Sequence, residues 1–377
     1  NRYKTYQGRG EFTNHLYLDN KGLSGEGTIY YLNSVTTTDS IFFYPYRALA
    51  HAESHHIYEQ ESPTDCPATH VDDASIDWRA FYDQFQSWNR DFFYTTYKQN
   101  YEFDGSMTLS PKVLTASGEL YYENAISVSK EFILQSQDFT ANHSQLNLFD
   151  VEAGEKIIKA DELYSAMSFE DDFGSFETLT DSAHFELRKN KYHLYFELME
   201  WDRANKSLLF SQFSTEDAWL VSVDKYQDSL QFYASDAVYD LNTYELEVAG
   251  VSEIRMDPVT IEPDSSTVTI LPNGKIERLH NAYFWVDSQT QTDYDFYNAE
   301  LDIQNAGSFT GSADFDYIDL EGEVQVIHFS SLQKKGDVVT GYAYITEEDN
   351  FHLDPYFGFK GKVILDSSKD FLTFEGY

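Results

Sequence analysis

The sequence predicts an all-β protein: an elongated stack of short antiparallel strands in β-solenoid or jellyroll-like repeats, with minor helical insertions. Three observations carry that reading. Of 377 residues, 29 are Phe, 29 Tyr and 5 Trp, and such side chains suit pleated, half-buried surfaces better than helices. Apolar and polar residues alternate in Val268-Thr269-Ile270, Tyr342-Ala343-Tyr344-Ile345 and Phe371-Leu372-Thr373-Phe374, and turn residues interrupt the alternation at the spacing of about 8–12 residues that all-β folds use. The third observation is internal likeness. Lys21 to Tyr31 aligns with Lys112 to Tyr122 at a constant offset of 91, pairing Leu23 with Leu114, Gly27 with Gly118 and Tyr30-Tyr31 with Tyr121-Tyr122.

The same offset places Ile41-Phe42-Phe43 on Phe132-Ile133-Leu134 and Leu18 on Leu109. One such strand-turn-strand module cannot bury its apolar face alone, whereas stacked copies share a core. The repeat divides the chain into a β-repeat unit over 1–95, a second unit over 96–235 and a rung-like C-terminal unit over 236–377. Residues 46–95, rich in His, Asp, Ser and Trp, read as an irregular insertion in the first unit. Two stretches carry apolar residues at helical spacing and read as short helices. These are Ile76 to Trp88, with Ala80, Phe81, Phe85 and Trp88 on one face, and Lys156 to Met167, with Ala160, Leu163, Tyr164 and Met167.

Charge excludes some partners. With 26 Lys and Arg against 64 Asp and Glu the net charge is −38, which opposes nucleic-acid binding and attachment to an anionic membrane surface. No apolar run approaches the about 20 residues of a spanning helix. The single cysteine, Cys66, excludes an internal disulfide framework. The acidic, aromatic, cysteine-poor composition points to an extracytoplasmic bacterial protein in the periplasm, on the outer membrane or secreted. The first residue, Asn1, brings neither an initiator Met nor a leader with it, so the chain reads as processed or excised. The sequons at Asn142 and Asn205 carry no meaning in a bacterial protein.

A family resemblance rests on Tyr239-Asp240, Gly250-Val251, Ile261-Glu262-Pro263-Asp264, Leu279-His280-Asn281-Ala282, Phe309-Thr310-Gly311-Ser312, Asp316-Tyr317-Ile318-Asp319, Gln325 to Phe329 and Phe371 to Tyr377. These motifs resemble very large uncharacterised envelope or secreted β-repeat proteins of the Bacteroidota. The resemblance implies that this chain is a segment, and it carries no functional residue across. The rung pattern over 236–300 also resembles the OstA-type β-jellyroll of lipopolysaccharide transport, which implies short strands stacked into an open V with an apolar interior.

Candidate sites are few. Asp314, Asp316 and Asp319 supply hard oxygen ligands on one strand and its turn, the donor type that calcium takes, although the spacing is not that of an EF-hand loop. Glu170-Asp171-Asp172 and Glu347-Glu348-Asp349 are similar acidic turns. His51, His55, Cys66 and His70 form a loose zinc candidate that departs from the H-E-x-x-H spacing. Phe92, Phe93, Tyr94, Tyr97 and Trp285 could stack on sugar rings if exposed. Gly8-Arg9-Gly10 and Gly25-Glu26-Gly27 lack the following helix that a dinucleotide site needs. The expected function is a non-catalytic structural or interaction segment that contacts other segments of one long protein or other envelope proteins. The alternatives are an OstA-like lipid or glycolipid conduit and a glycan-binding or glycan-active protein. The sequence implies no cofactor beyond the calcium that the acidic hairpin would take.

Overall fold

The computed structural model describes residues 2–287, 294–319 and 321–377. The protein is all-β and antiparallel, with 64% of residues in strands. Two compact units divide it: one comprises 1–183 with 200–204, the other 184–199 with 205–377.

The first unit contains two seven-stranded modules. Strands β1 (Arg2–Thr5), β2 (Gly10–Asp19), β3 (Gly22–Tyr31), β4 (Ser34–Phe43), β5 (Ala48–Ile57), β6 (Thr69–Arg79) and β7 (Gln84–Asn89) form the first. Strands β8 (Tyr94–Thr96), β9 (Tyr101–Leu109), β10 (Leu114–Tyr122), β11 (Ala125–Leu134), β12 (Asp138–Phe149), β13 (Lys156–Ser168) and β14 (Phe173–Thr178) form the second. β4 and β11 lie 91 residues apart at both ends, and β7 and β14 lie 89 apart at both ends.

Register recurs with the strands. The β3–β4 ladder slips between Gly25 and Gly27, and the β10–β11 ladder slips between Ala116 and Gly118. A hydroxyl fills each bulge. Thr38 Oγ1 donates to the His51 carbonyl at 2.5 Å and accepts from the Ser40 amide at 3.1 Å, and Ser129 Oγ does the same with Asn142 and Glu131 at 2.7 and 2.9 Å. The turns match too: Leu32 and Glu123 both sit at φ 48°, and the following Asn33 and Asn124 donate from Nδ2 to the carbonyls of Tyr58 and Phe149.

The modules are joined by main-chain pairing. β6 pairs with β8 through Thr69↔Thr96, and β7 pairs with β9 from Phe85↔Leu109 to Trp88↔Ser106. Asn89 closes the seam, donating to Asp104 Oδ1 and accepting from the Gly105 amide, both at 2.8 Å.

Inward side chains fill the interior of this unit. Phe103 meets Phe132, Phe132 meets Phe139 and Tyr122 meets Phe139 at centroid distances of 5.6–6.0 Å. Tyr31 stacks on Phe85 at 5.4 Å. Each such fully buried ring contributes about 1.5–3 kcal/mol by leaving water, before the entropy of ordering it.

The second unit begins with two interleaved ladders. One runs Tyr192–Leu194, Ala218–Ser222, Gln231–Ala234, and the other Ser207–Ser211, Asp236–Asp240, Leu246–Ala249, Thr267–Ile270. A nine-stranded antiparallel sheet then extends from Ile254–Met256 to Thr373–Gly376. Its core is again aromatic, with Phe284 stacked on Phe296 at 4.6 Å and edge-on to Phe309 at 5.5 Å.

The two expected helices are strands. Residues Ile76 to Trp88 form the end of β6, a hairpin turn and most of β7, and Lys156 to Met167 lie within β13. The described residues contain only two short 3-10 turns, Tyr6–Gly8 and Asp264–Ser266. In β13 the buried positions run Ile158, Ala160, then Leu163, Ser165, Met167. The bulge residue Glu162, at φ 56°, shifts a two-residue alternation by one and so imitates helical spacing. Residues 46–95 are likewise not an irregular insertion, since they supply β5, β6, β7 and the start of β8's pairing.

Candidate functional site

At one end of the first module three turns meet. The 3-10 turn Tyr6–Gly8 is tied to the β4–β5 turn by Tyr6, whose hydroxyl lies 3.0 Å from the Tyr44 carbonyl and 2.5 Å from that of Arg47, and the Phe81 amide ties the β6–β7 turn to the Tyr46 carbonyl at 3.2 Å. Arg9 Nη1 adds hydrogen bonds to the carbonyls of Ala80 and Phe81. The end of β6 and the β4–β5 and β6–β7 turns form an open recess of about 610 Å³ lined by Tyr46, Arg47, Asp77, Arg79, Phe81 and Tyr82.

Alternation along β6 puts Asp77 and Arg79 on the same, outward face. The Asp77 side chain is nevertheless only 5% exposed, because Arg47 Nη2 at 3.1 Å and Arg79 Nε at 2.9 Å converge on its Oδ2. Its Oδ1 is buried without a hydrogen-bond partner. The shared carboxylate fixes two half-exposed guanidiniums, whose remaining N–H groups are directed donors. Around them stand exposed rings: Tyr46 is 70%, Phe81 65% and Tyr82 71% exposed. Tyr46 and Phe81 meet edge to face at 6.0 Å, as do Phe81 and Tyr82 at 5.2 Å. Large apolar groups exposed together around fixed polar donors are the makings of a binding site.

A second groove, of about 710 Å³, lies in the second unit, where Tyr283, Tyr294, Tyr297 and Tyr317 face Asp295 and Asp316. The Tyr297 hydroxyl donates to Asp316 Oδ1 at 2.7 Å. That bond, ahead of burial, pushes the phenol up to about 12. Burial, followed by the Asp295 charge, raises Tyr283 in the same direction. Each of these two carboxylates is thus engaged by a phenol that holds its proton, an arrangement suited to binding rather than to proton transfer.

The calcium candidates do not converge. Asp314 accepts from Asn298 Nδ2 at 2.9 Å and contacts His328 Nδ1 at 2.7 Å. Asp319 accepts the amides of Glu321 and Glu323, both at 2.9 Å, and so closes the hairpin turn. No group of three or more His, Cys, Asp or Glu among the described residues is placed to hold a metal ion.

The zinc candidates also separate. His51 bridges Asp39 through Nδ1 at 2.9 Å and Asp73 through Nε2 at 2.8 Å, and these two hydrogen bonds raise its pKa. His55 is buried 2.8 Å from Thr36 Oγ1 and stacked on Phe85, and burial, with the charges of His56 and His70, pushes it down to about 3. His70 instead stacks on His56 at 4.0 Å. Cys66 is buried in a bridge opposite Gln60.

Of the stacking candidates, Tyr94 and Tyr97 are buried, Trp285 is half-buried, Phe93 stacks on Tyr121 at 5.7 Å, and Phe92 is exposed. Sequence reasoning missed Tyr46, Arg47, Arg79 and Tyr82, and it placed Phe81 on a helix face. The adjacent pair Phe81-Tyr82 was the available signal, because at the tip of a hairpin neither ring can reach the core.

No protein family, curated protein or solved structure matches the chain.

Proposed function

We propose that the chain is a non-catalytic scaffold and interaction segment of a larger extracytoplasmic bacterial protein, envelope-associated or secreted and of the Bacteroidota β-repeat kind. The observation that carries this reading is the seam of the first unit, where the last strands of one seven-stranded module pair antiparallel with the first strands of the next. A module that offers its terminal strands to its successor propagates a sheet, and propagation gives reach and display. The filled interiors support scaffold over conduit. In each unit the inward aromatics meet one another, whereas a lipid conduit of the OstA-like kind needs them to line an open trough. The chemistry points the same way: His51 is tied at both ring nitrogens and His55 is buried, so neither is available as a general base.

Incubation of the purified chain with panels of glycan, ester and peptide substrates tests the proposal. The expected result is no turnover above a buffer control. Reproducible hydrolysis that a single carboxylate substitution abolishes would replace the scaffold with an enzyme.

A further inference from the structure

The two modules of the first unit differ most tellingly at the turns around the Tyr46 recess. Their backbones agree. The Tyr44 amide donates to the Arg47 carbonyl at 2.8 Å, and 91 residues later Gln135 donates to Asp138 at 2.9 Å. Tyr6 and its counterpart Tyr97 donate to those same two carbonyls. The β6–β7 and β13–β14 turns carry Asp83 and Asp172 at φ 55° and 52°. The side chains on this shared frame do not agree. Where the first module has Tyr46, Arg47, Phe81 and Tyr82, the second has Gln137, Asp138, Glu170 and Asp171. These turns therefore require neither the rings nor the Arg47 guanidinium, since the sister module makes the same turns from amide and carboxylate side chains.

The second module's turn is also covered differently. Asp65 accepts from the Ser136 amide at 2.9 Å and from Gln135 Nε2 at 3.3 Å. The position equivalent to Ser136 is Pro45, which has no amide hydrogen to offer. An acidic loop cannot seat on the first module in that way.

We propose that the recess formed by Tyr46, Arg47, Asp77, Arg79, Phe81 and Tyr82 is a saccharide-binding site that prefers a sugar bearing a carboxylate. Size favours a small ligand. At about 610 Å³ the recess lies within the range of about 300–1,000 Å³ for small-molecule pockets, while a stable protein interface needs about 800 Å² from each partner. The exposed ring faces suit the C–H face of a pyranose. The two guanidiniums present planar paired donors to hydroxyls and to a carboxylate, and they would be left desolvated by a purely apolar ligand. Arg47 and Arg79 against Asp77 leave one positive charge in excess, enough for a single carboxylate. A polyphosphate or an anionic membrane would meet the chain's overall charge of −38.

Titration calorimetry on the full chain tests this, with methyl galacturonoside, which carries one carboxylate, as the galacturonate probe and methyl galactoside as the neutral one. The expected result is saturable binding of the galacturonate probe, at least threefold tighter than the neutral one. Phe81→Ala and Tyr82→Ala, on an exposed turn, should each weaken it at least tenfold, and Arg47→Gln should remove the preference for the acid. Glu170→Ala and Asp171→Ala on the sister turn should leave it unchanged. Three results overturn the proposal: no binding of either probe, binding that survives both aromatic truncations, or self-association in sedimentation that those truncations abolish, which would assign the face to a second copy of the chain.

Discussion

Gly27 and Gly118 occupy matching positions in two strand pairs, β2–β3 and β9–β10. Their φ angles are 152° and 154°, and a methyl group on either would come within 2.0 Å of a carbonyl oxygen on the preceding strand, that of Thr13 in one module and of Asp104 in the other. Thr13 and Asp104 are themselves 91 residues apart, so the recurrence extends to the neighbour as well as to the glycine. The bulge at each site bends a long strand so that its two ends keep opposite faces in register.

Gly27→Ala and Gly118→Ala should therefore each destabilise the chain by about 3 kcal/mol or more, because backbone must move and an unfavourable φ must be held. Gly154 is the control. It also has positive φ, at 65°, but nothing lies within 4 Å of the added methyl, so Gly154→Ala should cost only about 1 kcal/mol. Chemical denaturation of the three variants checks the order, and equal losses would show that backbone contact is not the cause.

Acid should weaken the fold through His55. Its pKa is about 3 when folded against about 6.5 when unfolded, so the unfolded chain binds more protons between those values. The stability this group contributes is full above pH 6.5 and is lost as pH falls towards 3, at up to about 1.4 kcal/mol per pH unit. His51 runs the other way. Its raised pKa leaves its contribution whole below pH 6.5 and lost only as pH rises through the folded value, so it does not mask the effect. Denaturation at pH 6.5 and 5.5 should differ by about 1 kcal/mol, and His55→Leu should flatten that difference. An unchanged slope in the variant would place the acid sensitivity elsewhere.

A chain of charge −38 repels itself, and monovalent salt should raise its melting temperature between about 0.01 and 0.15 M as the screening length shortens. Because Asp314 and Asp319 are engaged by neighbouring side-chain and backbone groups and Asp316 by Tyr297, calcium should act only through ionic strength. Scanning calorimetry in NaCl and CaCl2 of matched ionic strength should give equal shifts. An extra calcium-specific rise would assign a cation site to the acidic hairpin.

The sequence disclosed the β class because that class rests on a local, regular signal, period-2 alternation. It hid what bulges do to that period. In β6, Asp73 at φ 55° shifts the buried series from Val71 to Ala74, Ile76 and Trp78, and the displaced phase, followed by the turn at Phe81 and by Phe85 and Trp88, imitates one face of a helix. The recess was illegible for a different reason. Arg47 lies 30 residues before Asp77, and only the pairing of β5 with β6, in the register Leu49↔Asp77, brings it to the end of the sheet that holds Asp77 and Phe81. Asp314, Asp316 and Asp319 looked convergent in sequence because the strand alternates, but the partners of Asp314 and Asp316, namely Tyr297, Asn298 and His328, come from neighbouring strands that spacing alone does not reveal, and Asp319 is taken up by its own turn.

Native mass spectrometry of the purified chain tests the scaffold reading most directly. Filled cores in both units predict a species at the mass of the polypeptide alone, with no acyl-chain adduct surviving release from detergent-free buffer. A stoichiometric lipid or glycolipid, retained through purification and lost only on unfolding, would contradict it and make the β stack a conduit.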